Sequence, residues 1–164
     1  MTDLRQIIQV DYVIVGGVAT RLYMPERMTD DLDILIHEDE AERAYQNLNE
    51  QMARRMGDLS IGGTSWELPD KTVLDIITSQ REWVTIALRC PRMGADGQPV
   101  ISLPYLVLMK LEASRMTDIS DISRMLGQAG EVELNEVRKA IEIYDPNSLE
   151  DLESLIQLGK IEMS

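Results

Sequence analysis

Apolar residues come in short alternating runs through the first two-thirds of the chain and at three-to-four-residue spacing in the last third. Residues 10–15, VDYVIV, form a β-rich run ended by Gly16-Gly17, and residues 18–24 fit a short helix stopped near Pro25. Residues 31–36, DLDILI, predict a strand with Leu32, Ile34 and Ile36 on one face and Asp31, Asp33 and Leu35 on the other. Over residues 38–56 the apolar positions Ala41, Ala44/Tyr45, Leu48, Met52 and Met56 predict a helix. An acidic start, Arg54 and Arg55 near the end and Gly57 beyond suit its dipole and C-cap. Gly62-Gly63 marks a turn, residues 72–78 a strand, and residues 84–90 and 98–102 two strands joined across Gly94–Gly97.

From Pro104 onward the periodicity is helical. Tyr105–Met116 predicts one helix, and Ser120–Leu126 a short one stopped at Gly127. Two amphipathic helices follow, through Leu134, Val137, Ile141 and Tyr144, then Leu149, Leu152 and Leu155/Ile156, separated by Pro146. The expected fold is α+β: a mixed sheet of about five strands with flanking helices, and a helical C-terminal third. Residues 1–103 form the sheet region and residues 104–164 the helical region, packed as one compact domain.

Composition narrows the functional classes. The 164 residues suffice for one hydrophobic core. No apolar run approaches the ~18 residues of a membrane span, and the N-terminus lacks a signal-peptide pattern. One cysteine, Cys90, and one histidine, His37, exclude an intramolecular disulfide and a Cys/His zinc site, and a reducing cytoplasm is the expected compartment. The net charge of −13 and pI near 4.4 argue against a broad nucleic-acid footprint. Residues 130–164 hold nine acids against three bases and read as solvated helix faces. Residues 26–40 hold seven acids against Arg27, too dense beside an apolar strand for that account alone.

Within that cluster, alternation sets Asp31 and Asp33 on one strand face, about 6–7 Å apart at the backbone. Two carboxylates that close repel unless a cation lies between them. Mg²⁺ meets that need, with oxygen ligands drawn from carboxylates and substrate phosphates. Upstream, Gly16-Gly17 between a strand and a helix leaves backbone N–H groups for a phosphate. Asp75 interrupts the apolar run Val73-Leu74-Asp75-Ile76-Ile77, where an unpaired carboxylate is costly, and a third metal ligand explains it. The plainer alternative is a hairpin turn at the glycines and solvent-facing acids on edge strands.

Gly16-Gly17-Val18-Ala19, followed by Arg27-Met28-Thr29-Asp30-Asp31-Leu32-Asp33-Ile34, resembles the signature of the polymerase-beta-like nucleotidyltransferase superfamily. The nearest pattern is that of its minimal abortive-infection and toxin–antitoxin members. Lys110-Leu111-Glu112-Ala113 is similar to that subgroup's K-L-x-A helix. Asp118-Ile119-Ser120-Asp121 is similar to its K-D-x-x-D segment, with Thr117 in place of the lysine. The resemblance spans about residues 12–126.

It implies a metal-dependent enzyme that moves a nucleoside monophosphate from an NTP, ATP included, to an acceptor hydroxyl and releases pyrophosphate. Asp31, Asp33 and Asp75 are then the catalytic residues and the ligands of two Mg²⁺ ions, with Mn²⁺ able to substitute. Gly16, Gly17, Thr29 and Lys110 contact the nucleotide, and Arg27 and Asp121 support the site. The acceptor is open among a protein, a tRNA and a small molecule. Two other readings stand beside this one: a non-catalytic antitoxin or regulatory protein of the same fold acting on a protein partner, and a nucleotidyltransferase for a cationic antibiotic. Asp118 and Asp121 also read as helix-start acids, and Lys110 as a solvated face residue. His37 reads as a helix-entry residue. Met24, Met28, Met93, Met109 and Met116 read as packing residues, and Cys90 as a half-buried thiol.

Overall fold

A computed structural model describes residues 3–164. After a short helix α1 (Leu4–Ile8), the chain forms β1 (Val13–Val15), α2 (Gly16–Tyr23) and β2 (Leu32–His37). A 3₁₀ turn at Glu38–Glu40 leads into α3 (Ala41–Glu50), then β3 (Arg54–Asp58), β4 (Gly63–Glu67) and β5 (Val73–Ser79). Helix α4 (Glu82–Arg89) and the short strands β6 (Arg92–Met93) and β7 (Pro99–Val100) complete the sheet region. Four helices close the fold: α5 (Leu103–Ala113), α6 (Met116–Gln128), α7 (Glu131–Tyr144) and α8 (Leu149–Glu162).

The sheet has seven strands in the order β3-β4-β5-β2-β1-β7-β6, against the five expected. It is mixed: β2 runs parallel to β5 and β1 to β7, and the other neighbours are antiparallel. Ile34, Leu35, Ile36, Leu74 and Ile76 are fully buried at its centre. Trp66 of β4 packs against Tyr45 of α3, with ring centroids 5.7 Å apart, which places α3 on the sheet face opposite Asp33. Among the described residues no helix is long and apolar enough to cross a membrane.

Several expected boundaries move. The helix expected over 38–56 ends at Glu50. Met52 adopts φ 64° and donates to Asn49 O at 3.1 Å, while Ala53 N reaches Leu48 O at 3.0 Å. That is a Schellman cap with methionine where glycine is usual, so Met52 and Met56 leave the helix and are exposed. Residues 84–90 are not a strand. Residues 84–89 belong to α4 and Cys90 is its C-cap; Trp83, Val84 and Ala87 of that helix are buried, with Trp83 stacked on Tyr105. Helix α5 stops at Ala113, where Ser114 takes φ 50°, and α6 is longer than expected.

Gly127 does not stop α6. A β-carbon on Gly127 would stand 2.3 Å from Gly159 O, and one on Gly159 would stand 1.9 Å from Ser123 O. The two glycines therefore let α6 and α8 touch backbone to backbone. Met24 is buried and Met109 packs on the core, but Met28, Met93 and Met116 are exposed, as is Cys90. His37 does what a helix-entry residue does, its Nδ1 accepting from Asp39 N at 3.2 Å.

Candidate active site

Strand β1 passes into α2 without an intervening loop, so Gly16 and Gly17 are the first two helical residues rather than a turn ahead of the helix. Gly16 has φ 63°, and a β-carbon there would lie 1.9 Å from Asp33 Oδ2. A β-carbon on Gly17 would lie 2.7 Å from the Thr29 side chain. Both glycines are thus fixed by what β2 and its leading loop press against them. Val15, the N-cap, supplies no side-chain hydrogen bond, so the first turn of α2 has no side-chain cap. Thr20 Oγ1 donates to Gly16 O at 2.8 Å and steadies that turn.

The parallel β2–β5 ladder puts Asp33 directly opposite Asp75. Neighbouring strands lie about 4.8 Å apart, so both side chains stand on one face at close range. Asp31 is just outside β2, exposed, its N–H donating to Thr29 Oγ1 at 3.2 Å. The Asp33 carboxyl is pushed up to about 6, first by burial and then by the Asp75 and Asp31 charges, with Arg115 and Lys110 opposing. Neither the Asp33 nor the Asp75 side chain makes a hydrogen bond or ion pair to another described residue.

Antiparallel pairing adds a residue that the sequence analysis missed. Ser65 of β4 is opposite Asp75 on its other side, and its hydroxyl has no partner among the described residues. Strand β4 has too few apolar positions to show as a strand in sequence; only Thr64 and Trp66 point into the core.

Among the described residues, no three of His, Cys, Asp and Glu gather into a group that could by itself hold a metal ion. The donor set nevertheless suits a hard divalent cation. Asp33 and Asp75 are two facing oxygen donors with no direct ion pair among the described residues, and Mg²⁺ sites commonly take one or two carboxylates and complete the shell with water and phosphate.

The helical region contributes a charge cluster. Lys110 is buried, with Nζ 3.0 Å from Asp121 Oδ2 and 3.5 Å from Asp118 Oδ1. It is therefore no solvated face residue. Arg115 clamps Asp118 at 2.7 Å, and Asp118 also accepts from the Arg115 backbone N–H at 3.3 Å, the N3-acid half of a capping box at the start of α6. Arg27 Nε lies 3.6 Å from Asp121 Oδ2, buried and without a hydrogen bond. Asp121 thus joins α5, α6 and the loop that carries Thr29 and Asp31. Beside it runs a groove of about 300 Å³ lined by Arg27, Met28, Thr117, Ser120 and Arg124, among others.

No protein-family model matches the chain, and no curated protein sequence matches it. Solved structures do. The crystal structure of ANT(2″)-Ia in complex with adenylyl-2″-tobramycin is similar with a TM-score of 0.51 and 17% identity, over 98% of this chain and 97% of that one. A solution structure of the antibiotic-resistance factor ANT(2″)-Ia gives a TM-score of 0.47 and 15% identity, over 94% and 86% of the two chains. This chain therefore shares its fold, sheet and closing helices together, with ANT(2″)-Ia.

Proposed function

We propose that the protein is a metal-dependent nucleotidyltransferase, and that its acceptor is a small polycationic alcohol of the kind found among antibiotics. The observation that carries the first half is the in-register pair Asp33–Asp75, half-buried and unpartnered, against the uncapped first turn of α2. The acceptor half is supported by the acidic site and by the adenylyl-2″-tobramycin held by the protein of similar fold. This favours the antibiotic reading over a protein or tRNA acceptor.

Asp31, Asp33 and Asp75 are proposed to hold divalent cations, Mg²⁺ or Mn²⁺, which when bound supply the positive charge that draws electrons from the attacking and leaving oxygens. The acceptor oxygen attacks the α-phosphorus of the NTP, the bond from that phosphorus to the β-phosphate's bridging oxygen breaks, and pyrophosphate leaves. Asp75 accepts the acceptor's hydroxyl proton. The N–H groups of Gly16 and Gly17 meet the phosphates, and the absence of side chains there lets the backbone approach. Thr29 holds the Asp31 backbone, and Arg27 and Asp121 anchor that loop. Lys110 is committed to two aspartates, so it is proposed to act on the nucleotide by its field rather than by contact.

The deciding experiment is incubation with α-labelled ATP, Mg²⁺ and tobramycin or a cell extract. A labelled adduct that Asp75→Asn abolishes, with ATP binding kept, is the expected result. Transfer that survives Asp75→Asn contradicts the reading.

A further inference from the structure

Arg115 stands where two helices meet beside the carboxylate strands. Helix α5 ends at Ser114, whose φ of 50° turns the chain, and Arg115 is the N-cap of α6. Helix α6 packs on α2, whose first residue, Gly16, lies against Asp33. The Arg27–Asp121 pair also ties α6 to the loop that leads into β2. The first turns of α6 are thereby held beside the Asp33 end of the sheet.

The Arg115 guanidinium is fixed along one edge only. Its Nε donates to Asp118 Oδ2 at 2.7 Å and its Nη2 lies 3.4 Å from Asp118 Oδ1, while Nη1 has no hydrogen bond among the described residues. The side chain is 75% exposed, and the acid that grips it is buried. A planar fork gripped on one edge presents its other edge in a set direction. Asp118 foremost, then Asp33 and Asp121, hold Arg115 in its charged form, and Asp33 feels that charge in return.

The neighbouring cations are occupied. Lys110 is buried between Asp118 and Asp121. Arg27 pairs with Asp121 and donates to Met28 O. Two divalent ions do not carry enough charge to cover three carboxylates and a triphosphate together, and the chain's own balance of −13 adds nothing favourable. An arginine fork meets phosphate oxygens through charge-assisted hydrogen bonds.

Resting on the nucleotidyl-transfer reading, we propose that Arg115 is a substrate-binding residue whose free edge takes the terminal phosphate oxygens of the NTP, and that Asp118 aims it. Arg115 then makes the site select nucleoside triphosphates over monophosphates.

Arg115→Ala keeps the start of α6 supported, because the residue-115 backbone N–H still donates to Asp118 and Lys110 still pairs with that acid. Its ligand-free melting temperature should stay within about 4 °C of the parent's. If it melts lower, Arg115→Gln, which keeps the stem and a donor, is read in its place.

The test titrates the full chain calorimetrically, with Mg²⁺ present, against a non-hydrolysable ATP analogue and separately against AMP. Arg115→Ala should weaken the analogue about tenfold or more, the order of one charge-assisted hydrogen bond, and AMP by less than about twofold. Arg115→Lys should recover only part, since a point charge lacks the fork. Arg55 is a matched control, an exposed arginine that grips Asp58 three residues on at 2.7 Å, but on β3. Arg55→Ala should leave both affinities within about twofold. An analogue affinity unchanged by Arg115→Ala would overturn the proposal and leave the nucleotidyl-transfer reading standing. An equal loss for analogue and AMP would make Arg115 a structural prop, and an equal loss in Arg55→Ala would reduce it to a general field; either overturns the proposal. A parent that binds no analogue would remove the proposal and the nucleotidyl-transfer reading together.

Discussion

The Asp33 carboxylate occupies the space in which any side chain at Gly16 would have to begin, with Oδ2 1.9 Å from the built β-carbon position. The glycine is as much a seat for the acid as an approach for a ligand. Gly16→Ala combines that clash with an alanine forced to φ 63°, a strain on the order of 1–3 kcal/mol. Urea unfolding should show that loss, and Asp33→Ala in the same chain should return part of it, a positive coupling between the two positions. Simple additivity would mean that the two groups do not meet.

At Gly17 a β-carbon falls 2.7 Å from the Thr29 side chain, so Gly17→Val should push the 24–31 loop outward. Hydrogen exchange at Thr29–Asp31 should rise while the β2–β5 amides stay protected. Thr29→Gly added to Gly17→Val should reverse much of the effect.

The stability of the metal-free protein should depend on pH through Asp33. Its folded carboxyl sits at about 6, above its ordinary value of 3.8. A raised folded value means that the native state holds its proton longer than the unfolded chain does. The stability is therefore whole below about pH 4 and falls as pH rises toward about 6. Asp33→Asn should flatten that slope and melt higher than the parent at pH 7. After discounting for solvent screening, the gain is on the order of 1–2 kcal/mol. An unchanged slope in Asp33→Asn would place the titration elsewhere.

Divalent cations should reverse the same slope. Mn²⁺ titrated at pH 7 should raise the melting temperature of the parent by linkage and do much less for Asp33→Asn combined with Asp75→Asn. ATP should add a further rise with Mg²⁺ present and little in EDTA, because the chain's own charge of −13 opposes a triphosphate.

Lys110→Met should be among the more damaging single changes in the helical region. It takes from Asp121 and Asp118, both buried, the cation they share, leaving Asp118 to Arg115 and Asp121 to Arg27 at 3.6 Å, so the loss should fall below the about 3–5 kcal/mol of a buried pair broken from one side. Lys110→Met with Asp121→Asn should recover part of it. If Lys110→Met melts like the parent, the pair is only a surface contact.

The strands that hold the carboxylates were legible in sequence, because DLDILI and TVLDIIT place acids against an otherwise apolar alternation. Strand β3 was not, because all five of its residues are exposed and hydrophobic patterning has nothing to mark. The apparent helix repeat through Met52 and Met56 arose from residues that no core contacts. Residues 84–90 looked extended because Val84, Thr85 and Ile86 favour strands, whereas the packing of Trp83 on Tyr105 settles them as a helix. Ser65 could be found only through its register. The Lys110–Asp121 pair is 11 residues apart in sequence on two different helices, a contact that depends on how those helices meet.

The bulge at Met56 has a further consequence for how the protein behaves in crowded solution. Strand β3 is a sheet edge, and a straight, uncharged edge recruits other strands into growing aggregates. Here Arg54 and Arg55 stand on opposite faces of that edge and the extra residue breaks its regular spacing. An incoming strand would meet a kinked template, bulged at Met56 between Arg55 and Gly57, with charged side chains on both faces. Deleting Met56 would straighten the edge and place it in register with β4 along its whole length. Concentrated preparations of that variant should then gain oligomers that sediment faster than the monomer and bind amyloid dyes, a hazard that the parent's irregular rim holds off.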